Sequence, residues 1–125
     1  MSQKKILIVD DEESFTRLIK LNLEAGGSYR VRTENRAPNA MSAAKEFRPD
    51  LILLDVMMPE MDGGDIAQML RADPETQHVP IVFLTAAVKK DEVKSHGGLI
   101  GGLPYLAKPV DVEGVIACLR HHLGR

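Results

Sequence analysis

The chain has 125 residues, with 16 Lys+Arg against 18 Asp+Glu, a formal net charge of −2, one Cys, no Trp and 44% hydrophobic residues. That length builds one domain, which buries roughly two-thirds of the surface its unfolded chain exposes, so disorder, collagen-like architecture and dependence on disulfides are excluded. The near-even charge balance gives no pull toward a polyanion and no local basic patch supplies one, so direct nucleic-acid binding is not expected.

The first run, Ile6-Leu7-Ile8-Val9, follows Met1 to Lys5 and stops at Asp10-Asp11. Four apolar residues are too few for a signal peptide, and no stretch approaches the roughly 18 that a membrane span needs, so the run is a strand. Phe15, Leu18, Ile19 and Leu23 then share a helical face, with Gly26-Gly27 as the stop signal. Tyr29 to Thr33 alternates and carries two Arg, the pattern of an edge strand. A second helix runs from about Pro38 through Met41, Ala44 and Phe47 to the Arg48-Pro49 junction, which forbids continuation. Leu51 to Leu54 is apolar on consecutive residues, as is Ile81 to Leu84, which is how strands covered on both faces look. Between them a third helix carries Ile66, Met69 and Leu70 and ends near Asp73-Pro74. Four of the six residues from Gly97 to Gly102 are glycine. Each costs roughly 1 kcal/mol against Ala within a helix, so any helix there should be short or irregular and stop near His96. Leu103 to Ala107 is a fifth strand, and Pro104 assigns it to the other edge. The last helix stacks Val112, Val115, Ile116, Leu119 and Leu123 on one stripe. Its Cys118 has no partner, so no internal disulfide forms and a reducing, cytoplasmic setting is expected.

Alternating strands and helices of this kind make an α/β fold: a flavodoxin-like, doubly wound, five-stranded parallel sheet of order 2-1-3-4-5 with helices on both faces. Ligands of such sheets bind outside the carboxyl ends of the strands, near the point where strand order reverses. Strand one ends in Asp10-Asp11-Glu12-Glu13, strand three in Asp55, strand four in Thr85 and strand five in Lys108-Pro109. Singly, the acids are helix caps, Thr85 an N-cap and Lys108 a solvated charge. Asp55 resists such an explanation, because it follows four aliphatics in a central strand where an ionised carboxylate is costly without a partner. Clustered carboxylates repel until a proton or a cation joins them, and oxygen-only ligands favour Mg²⁺ over softer metals. Bound Mg²⁺, the Lys108 ammonium and the Thr85 hydroxyl together would clamp a phosphoryl group. With no Ser or Cys in the mouth, the nucleophile would be Asp55. The four His residues show no metal-binding spacing.

The segments Ile6 to Asp11 (ILIVDD), Leu51 to Pro59 (LILLDVMMP), Met61-Asp62-Gly63, Pro80 to Thr85 (PIVFLT) and Tyr105 to Pro109 (YLAKP) resemble the receiver domain of two-component response regulators, over essentially residues 1–125. The resemblance implies that Asp55 accepts phosphate from the phosphohistidine of a sensor histidine kinase or phosphotransfer protein. It implies that Asp10 and Asp11 help hold Mg²⁺, Asp11 directly, with the carbonyl of Met57 completing the protein ligands. Lys108 would pair with the phosphoryl group, and the Lys108-Pro109 bond would be cis. Thr85 would be drawn in as the phosphate arrives, and Tyr105 would change rotamer with it. Such a domain signals by switching partner binding or by passing phosphate on, and is not an enzyme in the ordinary sense.

The chain departs from that pattern at Gly97 to Gly102, where the family has a regular helix and a shorter turn. Two rival chemistries fail at named positions. A haloacid-dehalogenase-like phosphatase needs an acid two residues beyond its Asp nucleophile, where this chain has Met57, and an FMN carrier wants a Ser/Thr/Gly-rich loop where it has four acids. The remaining alternative is a protein-interaction module of the same fold that is never phosphorylated.

Overall fold

A computed structural model describes residues 3–86, 99–100 and 103–124. The expected helix ahead of His96, together with Ala87 and the glycines at 97, 98, 101 and 102, lies outside the described residues. In chain order the elements are β1 (Lys4–Val9), α1 (Glu13–Ala25), β2 (Tyr29–Glu34), a single 3₁₀ turn (Ala37–Asn39), α2 (Ala40–Phe47), β3 (Leu51–Asp55), α3 (Gly63–Ala72), β4 (Ile81–Thr85), β5 (Leu99–Ile100), β6 (Leu103–Ala107) and α4 (Val112–Leu123).

Five strands form the expected parallel sheet in the order β2-β1-β3-β4-β6. One feature differs. The fifth parallel strand is not the outermost, because β5 pairs with it antiparallel, Leu99 opposite Pro104 and Ile100 opposite Leu103. Gly101-Gly102, which join the two strands in sequence, lie outside the described residues. Pro104 still loses no bond to β4, since the β4 register starts at Tyr105 opposite Phe83.

The period of two along each strand sorts the core into two layers. Leu7, Val9, Ile52, Leu54, Ile81 and Phe83 pack beneath α2 and α3, meeting Ala40, Ala43, Ala44, Ile66 and Leu70. Ile6, Ile8, Leu51, Leu53, Val82 and Leu84 face the other way, onto Ile19 and Leu23 of α1 and Val115 and Leu119 of α4. All four apolar residues of β1 are fully buried. Each such Leu or Ile stabilises the fold by about 1.5–3 kcal/mol, so the strand ends that carry the polar groups stand on a rigid floor.

Helix ends follow local chemistry. The first turn expected as helix at Pro38 is a tighter 3₁₀ turn that leads into α2. That helix stops at Arg48, whose backbone turns left-handed (φ 52°) as its N–H donates to the Ala44 carbonyl, just ahead of Pro49. Among the described residues no helix is long and apolar enough to cross a membrane.

Candidate functional site

The carboxyl ends of β1, β3, β4 and β6 meet at one mouth. Asp10 is the first residue past β1, and its N–H continues the ladder to the Glu34 carbonyl at 3.0 Å. Its side chain is fully buried, and its Oδ1 accepts the Glu12 N–H at 3.0 Å. Asn35 fixes the backbone from the β2 side, its Nδ2 donating to the Asp10 carbonyl at 2.8 Å and to the hydroxyl of buried Thr16 at 3.0 Å. Asp55 ends β3 and is 4% exposed. Its Oδ1 accepts a long 3.4 Å hydrogen bond from the N–H of Met57, whose side chain stands out into solvent.

Asp10, Asp11 and Asp55 each place a carboxylate oxygen within 4.8 Å of the others'. Two unit charges at such a distance repel by about 4 kcal/mol at an effective dielectric near 20. Burial, followed by the charge of Asp10, pushes the Asp55 carboxyl up to about 7; Lys108 and the Met57 N–H pull only partly against them. Burial raises Asp10 as well, against its bonds from Lys108 and from the Glu12 backbone. Buried carboxylates, oxygen-only donors and an exposed third acid, Asp11, fit a hard divalent cation such as Mg²⁺.

Lys108 enters from the opposite side. Its N–H donates to the Thr85 carbonyl at 2.8 Å, and the Lys108-Pro109 bond is cis, as anticipated. Nζ lies 2.7 Å from Asp10 Oδ2, 2.9 Å from Glu12 Oε1 and 3.8 Å from Asp55 Oδ1. Burial pushes the ammonium down, but its hydrogen bonds to Asp10 and Glu12 outweigh that and leave it above its usual value. Thr85 is fully buried and pairs with Ala107 at the end of β4.

The structure thus brings together Asp10, Asp11, Asp55 and Lys108, with Thr85 at the adjoining strand end and Met57 on the rim. Tyr105 sits deeper. It pairs with Phe83, two residues below the level of Thr85, and belongs to the core layer under α2 and α3.

Three supporting residues escaped the sequence. Glu12 was one of four consecutive acids, and nothing local shows that it reaches a lysine 96 positions away. Asn35 gave no signal, since its target is a backbone carbonyl across the sheet. Gly63 was legible only as part of a motif. A Cβ on it would lie 2.3 Å from the Asp55 carbonyl oxygen and 2.8 Å from Val56 Cα. Only glycine lets α3 start so close to β3, where its N–H donates to the Val56 carbonyl at 2.9 Å and Asp62 caps the Gly64 N–H at 2.8 Å.

Comparisons with known proteins bear on the family and the fold. The family model described as the response regulator receiver domain matches residues 6–120. The chain is 37% identical over 122 residues to the polar-differentiation response regulator DivK of Brucella anthropi, an alignment covering 97% of each protein. Among solved structures it is similar to the chemotaxis protein CheY4 of Vibrio cholerae, with 29% identity, a TM-score of 0.81 and coverage of 96% and 98% of the two chains. It is also similar to a response regulator of Chloroflexus aurantiacus described as putative, at 30% identity and a TM-score of 0.82, covering 99% of this chain and 100% of that one.

Proposed function

The chain belongs to the response regulator receiver family, and from that premise we propose that residues 1–125 form one phosphoacceptor domain in which Asp55 takes a phosphoryl group and the phosphorylated form switches partner binding. The donor is the phosphohistidine of a sensor histidine kinase or phosphotransfer protein, met in the cytoplasm. The observation that carries this is the setting of Asp55: a buried carboxylate at the end of a central strand, within 4.8 Å of two further acids and 3.8 Å from the Lys108 ammonium.

The transfer is an in-line displacement. An Asp55 oxygen forms a bond to phosphorus as the bond from phosphorus to the donor nitrogen breaks, and the bonding pair leaves with the imidazole. Asp10, Asp11, Asp55 and the Met57 carbonyl would hold Mg²⁺, which when bound offsets the negative charge of the acids and of the incoming group. Lys108 supplies a positive charge fixed by the strand end, and Thr85 a hydroxyl able to donate to a phosphoryl oxygen. Tyr105, against the same strand, would report occupancy by changing rotamer. Catalysis of this kind is confined to the domain's own phosphate. It extends to no second substrate.

Incubation with acetyl phosphate and Mg²⁺ should add the mass of one phosphoryl group, and Asp55→Asn should not gain it. Undiminished labelling of Asp55→Asn, or labelling that persists in EDTA, would sink the assignment; no labelling at all would favour an interaction module of the same fold.

A further inference from the structure

The Lys108 ammonium lies closer to Asp10 and Glu12 than to the residue it is expected to serve. At 3.8 Å from Asp55 Oδ1 it is beyond hydrogen-bond reach, while Asp10 and Glu12 hold it at 2.7 and 2.9 Å and the Phe15 ring lies 5.2 Å from it. Asp10 belongs to the acid cluster, but Glu12 does not. Glu12 occupies the N-cap of α1, a place where the shorter Asp, Asn, Ser or Thr would bond the first-turn N–H groups; its longer side chain makes no cap bond. Its carboxylate goes instead to a lysine on the far side of the mouth.

We propose that Glu12 is a positioning residue for Lys108: it holds the ammonium back from Asp55 in the unphosphorylated protein and gives it up when the phosphoryl group arrives. The inference rests on Asp55 being the phosphoacceptor. A phosphoryl group brings up to about two negative charges to the mouth, so it competes directly for the ammonium. Glu12 is built to lose that competition, because its side chain is 60% exposed and its pair with Lys108 is screened by water. Asp10, fully buried, is the firmer partner. The bonds made and broken in the transfer are unchanged: the Asp55 oxygen bonds phosphorus, the donor departs with the electron pair, and Lys108 keeps its proton throughout.

The test uses acetyl phosphate with Mg²⁺ and compares Glu12→Ala with Glu13→Gln, which removes one exposed acid a residue away without touching Lys108. Glu12→Ala should accept phosphate about two- to fivefold faster, the range of a partly exposed ion pair, and Glu13→Gln should stay near the wild-type rate. In ¹⁵N-lysine-labelled protein the Lys108 ammonium resonance, identified by its loss in Lys108→Arg, should shift in Glu12→Ala and stay in place in Glu13→Gln. Equal acceleration by both variants would reduce Glu12 to bulk charge and overturn the inference, as would an unmoved resonance. A Glu12→Ala protein labelled at the wild-type rate overturns it while leaving the phosphoacceptor intact. A wild type that gains no phosphoryl mass overturns both.

Discussion

Gly63 presses the start of α3 against the backbone of Asp55: a methyl group on it would stand 2.3 Å from the Asp55 carbonyl oxygen. The obstacle is main chain on both sides, which no rotamer change relieves. The glycine therefore belongs to the nucleophile's support, although it carries no side chain to do chemistry.

Gly63→Ala should accordingly destabilise the protein by about 1–3 kcal/mol, the usual cost of overpacking a tight site. It should also displace the β3–α3 connection that carries Met57. Urea denaturation of the variant beside wild type reads the first effect. Because Ala is the better helix former, a variant as stable as wild type would mean that the backbone yields without cost.

The second prediction concerns pH. Asp55 in the folded protein holds its proton up to about 7, whereas the unfolded chain releases it near the ordinary 3.8. Between those values the native state binds more protons, so stability falls as pH rises through the window and levels off above it. Asp10, also raised by burial, adds to the same slope. Lys108, whose shift is upward, contributes stability that is lost only at alkaline pH, outside the window. Thermal melts in EDTA from about pH 4.5 to 7.5 should show the decline, Asp55→Asn should flatten it, and Mg²⁺ should reduce it. An Asp55→Asn protein whose advantage over wild type is the same at every pH contradicts the burial argument.

The sheet was legible because its apolar runs announce themselves: Ile6 to Val9 and Leu51 to Leu54 are buried on both faces, and both run into acids. The acid cluster followed, since topology alone brings strand ends together. What stayed hidden depends on partners distant in sequence. Glu12 and Lys108 are 96 positions apart, and Asn35 bonds a carbonyl 25 positions away. The antiparallel β5 strand was missed for another reason. Its Leu99-Ile100 pair is too short to show a period, and the glycines that flank it in sequence read only as the end of a helix.

Asp11 separates the metal from the fold. It is the exposed member of the cluster, so Asp11→Ala should abolish the rise in melting temperature that Mg²⁺ gives wild type. Without metal the variant should melt at or above wild type, because one repelling carboxylate is gone. A saturating ligand at 100 times its dissociation constant stabilises by about 2.7 kcal/mol, which calorimetry resolves. A metal-free variant that melts lower than wild type would make Asp11 a structural acid at the head of α1.

The lifetime of the phosphorylated form turns on Met57. Its N–H is directed at Asp55 Oδ1, and its side chain, 66% exposed, stands at the rim of the mouth. Hydrolysis requires a water in line with phosphorus, opposite the Asp55 oxygen. A thioether is a weak acceptor that cannot donate, so Met57 does little to hold that water, and the loss of phosphate should be slow. An amide at the same position could both donate and accept. One added hydrogen bond, at a net ~0.5–1.5 kcal/mol, corresponds to about two- to tenfold in rate if it forms in the transition state. Met57→Asn should therefore shed phosphate faster by that factor, followed as the decay of the phosphoryl mass after donor removal. Ala87, two residues after Thr85 in the sequence, also has no side-chain group that could hold such a water, and lies outside the described residues. A Met57→Asn protein that decays at the wild-type rate, or more slowly, would show that access rather than positioning sets the lifetime.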